Sequence, residues 1–132
     1  TAKVMRADGA TPQTIQAERF STFSSLRYKN ICGKVTDTEA LKLLELELIK
    51  YTYKIAKDKQ IYAGVTAEQT DALGIKTVVQ YDGEGRADSV DYAGFVPYIV
   101  KLLQMQNVEI AELKTINTKL LKRLEILEGK VK

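Results

Sequence analysis

The last third of the chain carries a regular repeat, and this repeat limits the possible folds more than any other feature. With heptad position a placed at Val96, nine of the eleven a and d positions over residues 96–131 are apolar, and the other two are Gln106 and Asn117. Apolar residues that recur alternately every three and four positions predict the seam of a coiled-coil helix.

The ends of this helix are marked as well. Pro97 suits a first turn, where its missing N–H costs nothing, and Gly129 is a typical stop signal. A helix over about residues 96–128 is roughly 50 Å long at about 1.5 Å per residue, whereas a compact chain of this size has a radius of gyration of only about 14 Å. Since each large apolar side chain left in water forgoes about 1.5–3 kcal/mol, we expect self-association.

The width of the apolar face bears on how many helices meet. The e and g positions add further apolar residues, namely Val100, Leu102, Ile116 and Leu121. This face is wider than a two-stranded seam requires, so we predict a homotrimeric coiled coil. Two alternatives are a pair of helices that also packs on the body of the domain, and a stripe that docks on its own domain. A DNA-binding zipper is excluded, because the preceding residues 81–95 are acidic where such proteins need a basic helix.

The segment before the long helix alternates helical and strand patterns, which predicts an α+β body. Its predicted elements are a helix over residues 36–50 that begins with a Thr36–Glu39 capping box, paired strands over 51–56 and 61–65, a capped helix over 66–73 that stops at Gly74, and a hairpin that joins 76–82 to 87–92. The fold class is therefore α+β, a small helix-and-hairpin body followed by a long C-terminal helix.

Three segments follow from this organisation. Residues 1–23 are polar and threonine-rich, and we interpret them as the end of an upstream passenger segment. Residues 24–95 form the body, and residues 96–132 form the coiled-coil helix. Because the chain does not begin with Met, we expect it to be a piece of a longer polypeptide.

Composition excludes several functions. The chain has no histidine, which removes Ser-His-Asp and Cys-His catalysis and nearly all zinc sites of the usual kind. Its single cysteine, Cys32, cannot form an internal disulfide, and we expect a small core residue there, with a reactive thiol as the alternative. The net charge of +3 is scattered along the chain, and no apolar run approaches the roughly 20 residues that cross a bilayer. We therefore predict no cofactor, no metal, no nucleic acid partner and no membrane partner.

The stretch FSSLRYKNI, residues 23–31, holds a candidate nucleophile and a candidate base. Ser24 and Lys29 are five positions apart, which places them on different faces of an ideal helix or strand. They can meet only across a turn or at a helix start. By spacing alone two interpretations stay open, a reactive pair and a solvated basic turn with Arg27 and Lys29 on its surface.

The same stretch resembles the Ser-Asp-x-Arg-x-Lys signature that opens the C-terminal intramolecular chaperone domain of phage tail spikes, tail fibres, neck appendages and endosialidases. A leucine-rich helix pattern follows it, as in the family. YAGVTAEQTDAL resembles the family's Gly-x-x-Ala-Gln-Glu passage from strand to helix, and SVDYAGFVPYIVKLLQ resembles its Ser-Val-Asp-Tyr entry into the terminal helix. The resemblance covers residues 24–132.

The resemblance implies that Ser24 is the nucleophile, that Lys29 is its base and that the Phe23–Ser24 bond is cut. Arg27 matches the motif arginine. Ser25 stands where the family has aspartate or asparagine, so an orienting carboxylate must come from elsewhere, and Ser25 itself is the alternative nucleophile.

Two further residues match the family only in part. Glu68 and Gln69 reverse the family's Gln-Glu order, so we predict a supporting role for this pair without assigning one to either residue.

The family implies a function. The chain would be an intramolecular chaperone that trimerises, aligns an upstream β-rich phage fibre or spike segment of its own polypeptide, and then releases itself by a single autoproteolytic cut. This would take place in the host cytoplasm during virion assembly, with release from the mature fibre. A lysine accepts a proton only when it is neutral, so our hypothesis is that Lys29 leaves water only once the chains have folded and assembled. The alternative is a non-catalytic trimerisation or attachment module of a fibrous protein.

Overall fold

The computed structural model describes residues 14–55, 57 and 59–131, and it has the predicted α+β organisation, with small hairpin sheets and a long C-terminal helix. The helices and strands, in chain order, are α1 (Asp37–Leu41), β1 (Ile49–Tyr51), β2 (Tyr62–Gly64), α2 (Ala67–Ala72), β3 (Val79–Tyr81), β4 (Ala87–Val90) and α3 (Val96–Val131). β1 pairs with β2, and β3 pairs with β4, in two separate two-stranded sheets. The predicted order of helix, two strands, helix, hairpin and long helix is confirmed.

The chain divides into two compact units. The first comprises the described residues of Thr1–Gly33 and Lys50–Tyr62, and the second comprises those of Lys34–Ile49 and Ala63–Lys132. The first unit contains the FSSLRYKNI stretch and a cluster of three tyrosines, Tyr51, Tyr53 and Tyr62, whose ring centroids lie 5.2–5.7 Å apart. The second unit contains the buried apolar cluster and most of the regular elements.

The core of the second unit lies where the β3–β4 hairpin meets the start of α3. Its buried members are Ile75, Val78, Val79, Phe95 and Tyr98, and Val78 is only 1% exposed. The antiparallel hairpin pairs Val79 with Val90, and its register shifts between Gln80 and Tyr81. This shift is a bulge-type irregularity, which is common in short twisted hairpins.

The helix α2 begins and ends as the sequence predicts. The Thr66 hydroxyl accepts a hydrogen bond from the Gln69 backbone N–H at 3.1 Å, which satisfies one of the unpaired donors of the first turn. The chain leaves the helix through Gly74, whose φ of +80° lies in the left-handed region that favours glycine. The capped helix over residues 66–73 is therefore confirmed to within one residue at each end.

A short polar contact connects α2 to β3. The Tyr81 hydroxyl donates a hydrogen bond to the Asp71 carboxylate at 2.5 Å, and Lys76 lies 3.8 Å from the same carboxylate. The hydrogen bond to Asp71, with smaller effects of desolvation and of the Asp71 charge, raises the pKa of the Tyr81 phenol above its usual value.

The helix predicted over residues 36–50 is too long. Its start is correct, because the Thr36 hydroxyl accepts from the Glu39 N–H at 3.2 Å, but α1 ends at Leu41 and passes into a 3-10 turn over Lys42–Glu45. The Glu47 N–H then donates to the side-chain oxygen of Gln69 at 3.0 Å rather than to a helical carbonyl. That bond and the start of β1 at Ile49 replace the helical ladder, although the residues are good helix formers.

The long helix α3 starts at Val96, as predicted, with Pro97 in its first turn. Its first turns pack on the body, since Tyr98 is buried with its hydroxyl 2.5 Å from that of Thr77, and Lys101 pairs with Asp37 of α1 at 3.4 Å. The predicted stop at Gly129 is wrong, because the helix continues to Val131 and Gly129 does not adopt the positive φ of a helix cap. No helix within the described part of the chain is long and apolar enough to cross a membrane.

The apolar seam of α3 is exposed in the single chain. The apolar a and d side chains from Val96 to Leu127 are between 46% and 59% exposed. Beyond its first turns the stripe therefore does not dock on the described residues of its own domain. At about 1.5 Å per residue, the 36 residues of α3 extend over about 54 Å.

Candidate active site

A single 3-10 turn over Leu26–Tyr28 shapes the FSSLRYKNI stretch. The Tyr28 N–H donates to the Ser25 carbonyl at 3.0 Å, and the Lys29 N–H donates to the Leu26 carbonyl at 3.2 Å. The Ser25 hydroxyl accepts a long hydrogen bond of 3.4 Å from the Arg27 N–H and caps the turn. Residues on both sides of the turn have extended backbone, so the chain doubles back over a short distance.

The turn brings Ser24 and Lys29 together. The Lys29 ammonium nitrogen, Nζ, lies 2.6 Å from the Ser24 Oγ and donates a hydrogen bond to it. Spacing allowed the two side chains to meet only across a turn or a helix start, and the structure has such a turn. A lysine nitrogen in direct contact with a serine hydroxyl is the contact that the predicted serine–lysine pair requires.

A second pair of side chains meets across the same turn, and sequence reasoning missed it. The rings of Phe23 and Tyr28 lie edge to face with centroids 5.5 Å apart, and the Arg27 guanidinium lies 4.9 Å from the centre of the Tyr28 ring. Phe23 and Tyr28 are five positions apart, as are Ser24 and Lys29. This shared spacing of two adjacent pairs is the signal that could have predicted the aromatic contact.

The aromatic contact has a chemical consequence. Phe23 carries the carbonyl that the sequence hypothesis places under attack, so the contact with Tyr28 restrains the residue on the acyl side of the bond. The hydrogen bond from Lys29 restrains Ser24 on the other side. Both restraints come from one turn, and orientation of this kind is what the predicted cut would require.

The site is open to water in the single chain. Ser24, Lys29 and every other residue from Phe20 to Lys34 are exposed, and the Phe23 side chain is 83% exposed. Among the described residues no carboxylate forms a hydrogen bond or ion pair with Lys29. The orienting carboxylate that was expected to replace the aspartate at position 25 is therefore not found in this part of the chain.

Glu68 and Gln69, the pair with a predicted supporting role, belong to the second unit, whereas the turn belongs to the first. Gln69 lies in α2, where its side-chain oxygen accepts from Glu47, and its neighbour Glu68 is exposed in the first turn of the same helix. The hydrogen bond to Gln69 holds the Glu47 backbone just before β1 begins, and the supporting role predicted for this pair stays a prediction.

The remaining sequence predictions for this region concern Cys32 and metal binding. The prediction that Cys32 is a core residue is wrong, because the side chain is exposed and its thiol donates a long hydrogen bond of 3.5 Å to the Asn30 carbonyl. The surrounding chain buries no residue between positions 14 and 33, so no core exists there for the thiol to join. Within the described residues no group of three or more His, Cys, Asp or Glu side chains is arranged to hold a metal ion.

Comparison with known proteins yields no relative from which a role could be transferred. No family model matches the sequence, and no curated protein and no solved structure is detectably similar to the chain. The geometry of the turn and the exposed seam of α3 are the observations on which a function can be based.

Proposed function

We propose that this protein is an intramolecular chaperone that assembles as a homotrimer through α3, aligns an upstream β-rich segment of the same polypeptide, and then releases itself by cutting the Phe23–Ser24 bond. The observation that carries the proposal is the 2.6 Å contact between Lys29 Nζ and Ser24 Oγ across a one-turn helix. The resemblance of residues 24–132 to the chaperone domains of phage tail spikes and fibres supplies the purpose.

The reaction begins when neutral Lys29 takes the proton of the Ser24 hydroxyl and Oγ bonds to the carbonyl carbon of Phe23. Oγ and that carbon close a five-membered ring with Cβ, Cα and the nitrogen of Ser24. The tetrahedral intermediate then expels the Ser24 nitrogen, which receives the proton from Lys29. The product of this step is an ester between Phe23 and the Ser24 side chain.

Water completes the cut by hydrolysing the ester. Its oxygen adds to the Phe23 carbonyl carbon, and the Ser24 hydroxyl leaves with a proton. The two fragments are residues up to Phe23, which end in a carboxylate, and residues from Ser24, which begin with a free amine. The reaction needs no cofactor and no metal, and each chain turns over once.

Burial of Lys29 on assembly makes the cut conditional. A lysine in contact with water is almost wholly charged at neutral pH and cannot accept a proton. Lys29 is exposed in the single chain, so the proposed nucleophile and base are in contact but not shielded from water. Contact with a neighbouring copy excludes water from the turn, favours the neutral amine and starts the reaction.

Self-association is supported by the seam of α3. Eight apolar a and d side chains along α3 are about half exposed, and six of them lie beyond the first turns that pack on the body. In a trimer these surfaces are buried against each other. The e and g residues that widen the apolar face, Val100, Ile116 and Leu121, are also exposed.

The order of events has a physical advantage. Interwound strands from three chains have high contact order and fold slowly, whereas a helical clamp forms quickly from local contacts. The clamp raises the effective concentration of the neighbouring strands. Once it is released, the fibre cannot readily retrace its folding route, which gives it kinetic stability.

The second candidate function is a trimerisation or attachment module without catalysis. The observation that favours it is the full exposure of the turn, because a surface lysine readily donates to a nearby hydroxyl with no chemical role. In that case the chain assembles through the same seam and stays whole.

Intact-mass measurement of the folded 132-residue chain separates the two functions. Self-cleavage predicts a fragment that begins at Ser24 and its loss in Ser24→Ala. Ser25→Ala is the matched control, since the Ser25 hydroxyl accepts from the Arg27 N–H whereas Lys29 donates to Ser24, and it should still be cut. A wild-type chain that trimerises and remains whole would rule out the catalytic function, and a fragment that begins at Ser25 would instead identify Ser25 as the nucleophile.

The dependence on assembly has its own test. Refolding at a series of chain concentrations should show cleavage that rises with the trimer fraction measured by sedimentation. Complete cleavage in chains that sediment as monomers would contradict the gating by assembly while leaving the dyad in place.

A further inference from the structure

Five charged residues flank the apolar seam of α3 without an ion-pair partner in the described part of their own chain. The g positions hold Glu109, Arg123 and Lys130, and the e positions hold Lys114 and Glu128. Lys130 has no e position five residues later within α3, which leaves the other four charges to pair between helices. The ion pairs of the described residues join other side chains. Charged residues at e and g are those that pair between helices and select the partner's orientation in coiled coils.

The spacing within the helix gives these charges little opportunity to pair with each other. Positions three and four residues away from Glu109, Lys114 and Arg123 hold no residue of opposite charge. For Glu128 the single cation at such a spacing is Lys132, outside the described residues. Ion pairs within a helix form between residues three or four positions apart. These charges are therefore better placed to pair with charges on another helix.

We propose that these four charges and the polar seam residue Asn117 set the alignment of neighbouring copies, so that the α3 helices associate in parallel and in register. This proposal rests on the self-association in the proposed function and adds which residues determine its geometry. The partner is a second copy of this chain, and charge complementarity is the argument for it.

Parallel, in-register helices bring each g residue near the e residue five positions later on the neighbouring helix. Glu109 then faces Lys114 of the neighbouring copy, and Arg123 faces its Glu128. The intervening g–e contact joins Ile116 to Leu121 of the neighbouring copy, and both are exposed apolar residues in the single chain. Every g–e contact from position 109 onward is thus either oppositely charged or apolar at both ends.

The charges alone also permit one antiparallel arrangement. Antiparallel helices bring g near g and e near e, and an overlap centred between positions 118 and 119 pairs Glu109 with Arg123 and Lys114 with Glu128. The ion pairs therefore do not decide the direction of the helices. The polar residues of the seam decide it.

Asn117 separates the two directions. In the parallel arrangement it faces Asn117 of the neighbouring copy, and the amides can donate to and accept from each other. In the antiparallel arrangement it faces Leu120, which leaves a buried amide without a partner, a costly outcome. Gln106 likewise faces Gln106 of the neighbouring copy in parallel, in-register helices.

The same residue excludes parallel helices that are shifted by one heptad. A shift of seven residues places Asn117 against Ile110 or Leu124 and removes the opposite charge from Glu109. A single polar position within an apolar seam is known to specify register at some cost in stability. In-register association places equivalent residues of every copy at the same level, which is the condition for aligning identical upstream segments.

Two double substitutions test the direction of the helices. Both are made in the full chain with Ser24→Ala, so that the chain stays whole, and association is measured by sedimentation equilibrium. Glu109→Lys alone should weaken association about two- to fivefold for each like-charge contact that it creates. Adding Lys114→Glu should restore it, whereas adding Arg123→Glu should weaken it further.

The antiparallel arrangement predicts the reverse order. Glu109→Lys with Arg123→Glu would then restore association, and Glu109→Lys with Lys114→Glu would weaken it. This reverse order overturns the proposal. Equal association of both double variants also overturns it, because the charges would then have no role in alignment.

A cross-link tests the register. Leu103→Cys is placed in a chain with Cys32→Ser, because Cys32 is exposed. Parallel, in-register helices bring position 103 of two copies together at a seam position, and mild oxidation should yield disulfide-linked pairs of chains. In the antiparallel arrangement the two positions are about 46 Å apart along the helix at about 1.5 Å per residue, and no link should form.

The outcomes separate this proposal from the proposed function. A chain that sediments as a monomer overturns the assembly and the alignment together. A chain that associates but lacks the cross-link or shows the reverse order of double variants overturns only the alignment. Self-cleavage is read independently in the chain with Ser24 intact.

Discussion

The turn that holds Ser24 and the core that holds Val78 are stabilised in different ways. At the turn, side chains contact others five positions away, and each of these groups remains exposed to water. In the core, Val78 contacts residues of the hairpin and of the start of α3 and is almost fully buried. One region is arranged by short-range contacts alone, and the other by packing between elements distant in the sequence.

This difference bears on when each region becomes functional. The core is complete within a single chain, because its apolar side chains find partners in the same unit. At the turn, Ser24 and Lys29 are already in contact within a single chain, but both side chains are exposed to water. We infer that folding and activity are separate steps, which substitutions in the two regions should resolve.

The largest effect is expected at the turn and should leave the core unaffected. Lys29→Arg keeps the positive charge but supplies a guanidinium that does not lose its proton in proteins, so we expect complete loss of cleavage. Because Lys29 is exposed, the thermal unfolding midpoint should stay within error of the wild type. Intact mass and circular dichroism measure the two quantities.

Arg27→Lys is the matched control for that substitution. Arg27 contacts the Tyr28 ring and not the Ser24 hydroxyl, so cleavage should persist at a similar rate. Cleavage that survives in Lys29→Arg would show that another group removes the proton from Ser24.

The next effect concerns the exposed apolar seam of α3. Leu120→Asp places a charge at a d position, and loss of a buried leucine is worth about 1.5–3 kcal/mol per chain. We expect association to weaken by about 10- to 100-fold or more while the body stays folded. Lys122→Asp, at an f position away from the seam, should sediment as the wild type, and equal association of the two variants would contradict the role of the seam.

A smaller effect is expected where the core has no free space. A Cβ at Gly94 would lie 2.8 Å from a methyl carbon of Val78, so Gly94→Ala should destabilise the body by about 1–3 kcal/mol. Gly83→Ala is the control, since nothing lies within 4 Å of its added Cβ. Urea denaturation compares the two, and equal stabilities would show that Val78 moves aside freely.

The smallest effect is expected at a helix cap. Thr66→Ala removes the hydroxyl that accepts from the Gln69 N–H, and we expect a loss of about 0.5–2 kcal/mol in the free energy of unfolding. Thr66→Ser keeps that oxygen and should recover most of the loss. If serine and alanine are equally destabilising, the methyl group rather than the cap is what stabilises this position.

Local signals in the sequence were sufficient for much of the fold. The caps at Thr36 and Thr66, the glycine after α2 and the hairpin all depend on residues within a few positions of each other, and each is found where it was predicted. The start of α3 at Val96 follows from the same kind of evidence. Such features can be predicted from the sequence because the hydrogen-bonding partners are only a few residues apart in the chain.

The incorrect predictions have long-range causes. The first helix was predicted too long because its residues favour helix, whereas the contact from Gln69, 22 positions away, takes the Glu47 N–H. Cys32 was assigned to a core because cysteine is usually buried, but every described residue around it, including the apolar Leu26 and Ile31, is exposed and forms no core. Residue propensities describe a segment in isolation. The end of α1 and the exposure of Cys32 depend instead on which contacts the rest of the chain supplies.

The candidate site was only partly accessible to sequence reasoning. The separation of Ser24 and Lys29 indicated that a turn was needed, but the sequence did not say that Leu26–Tyr28 would form it. Exposure of both residues depends on what covers the turn, which spacing does not encode. The catalytic roles and the trimer remain predictions that the experiments above address.

The way α3 enters the body also determines how the molecule responds to mechanical load. Its first turns are fastened by the Tyr98–Thr77 hydrogen bond and the Lys101–Asp37 ion pair, whereas the rest of the helix has no such attachment among the described residues. A force applied to the carboxyl end of α3 is therefore transmitted along the helix to those two contacts. In a pulling experiment they should yield together, as one abrupt step, before the hairpin opens.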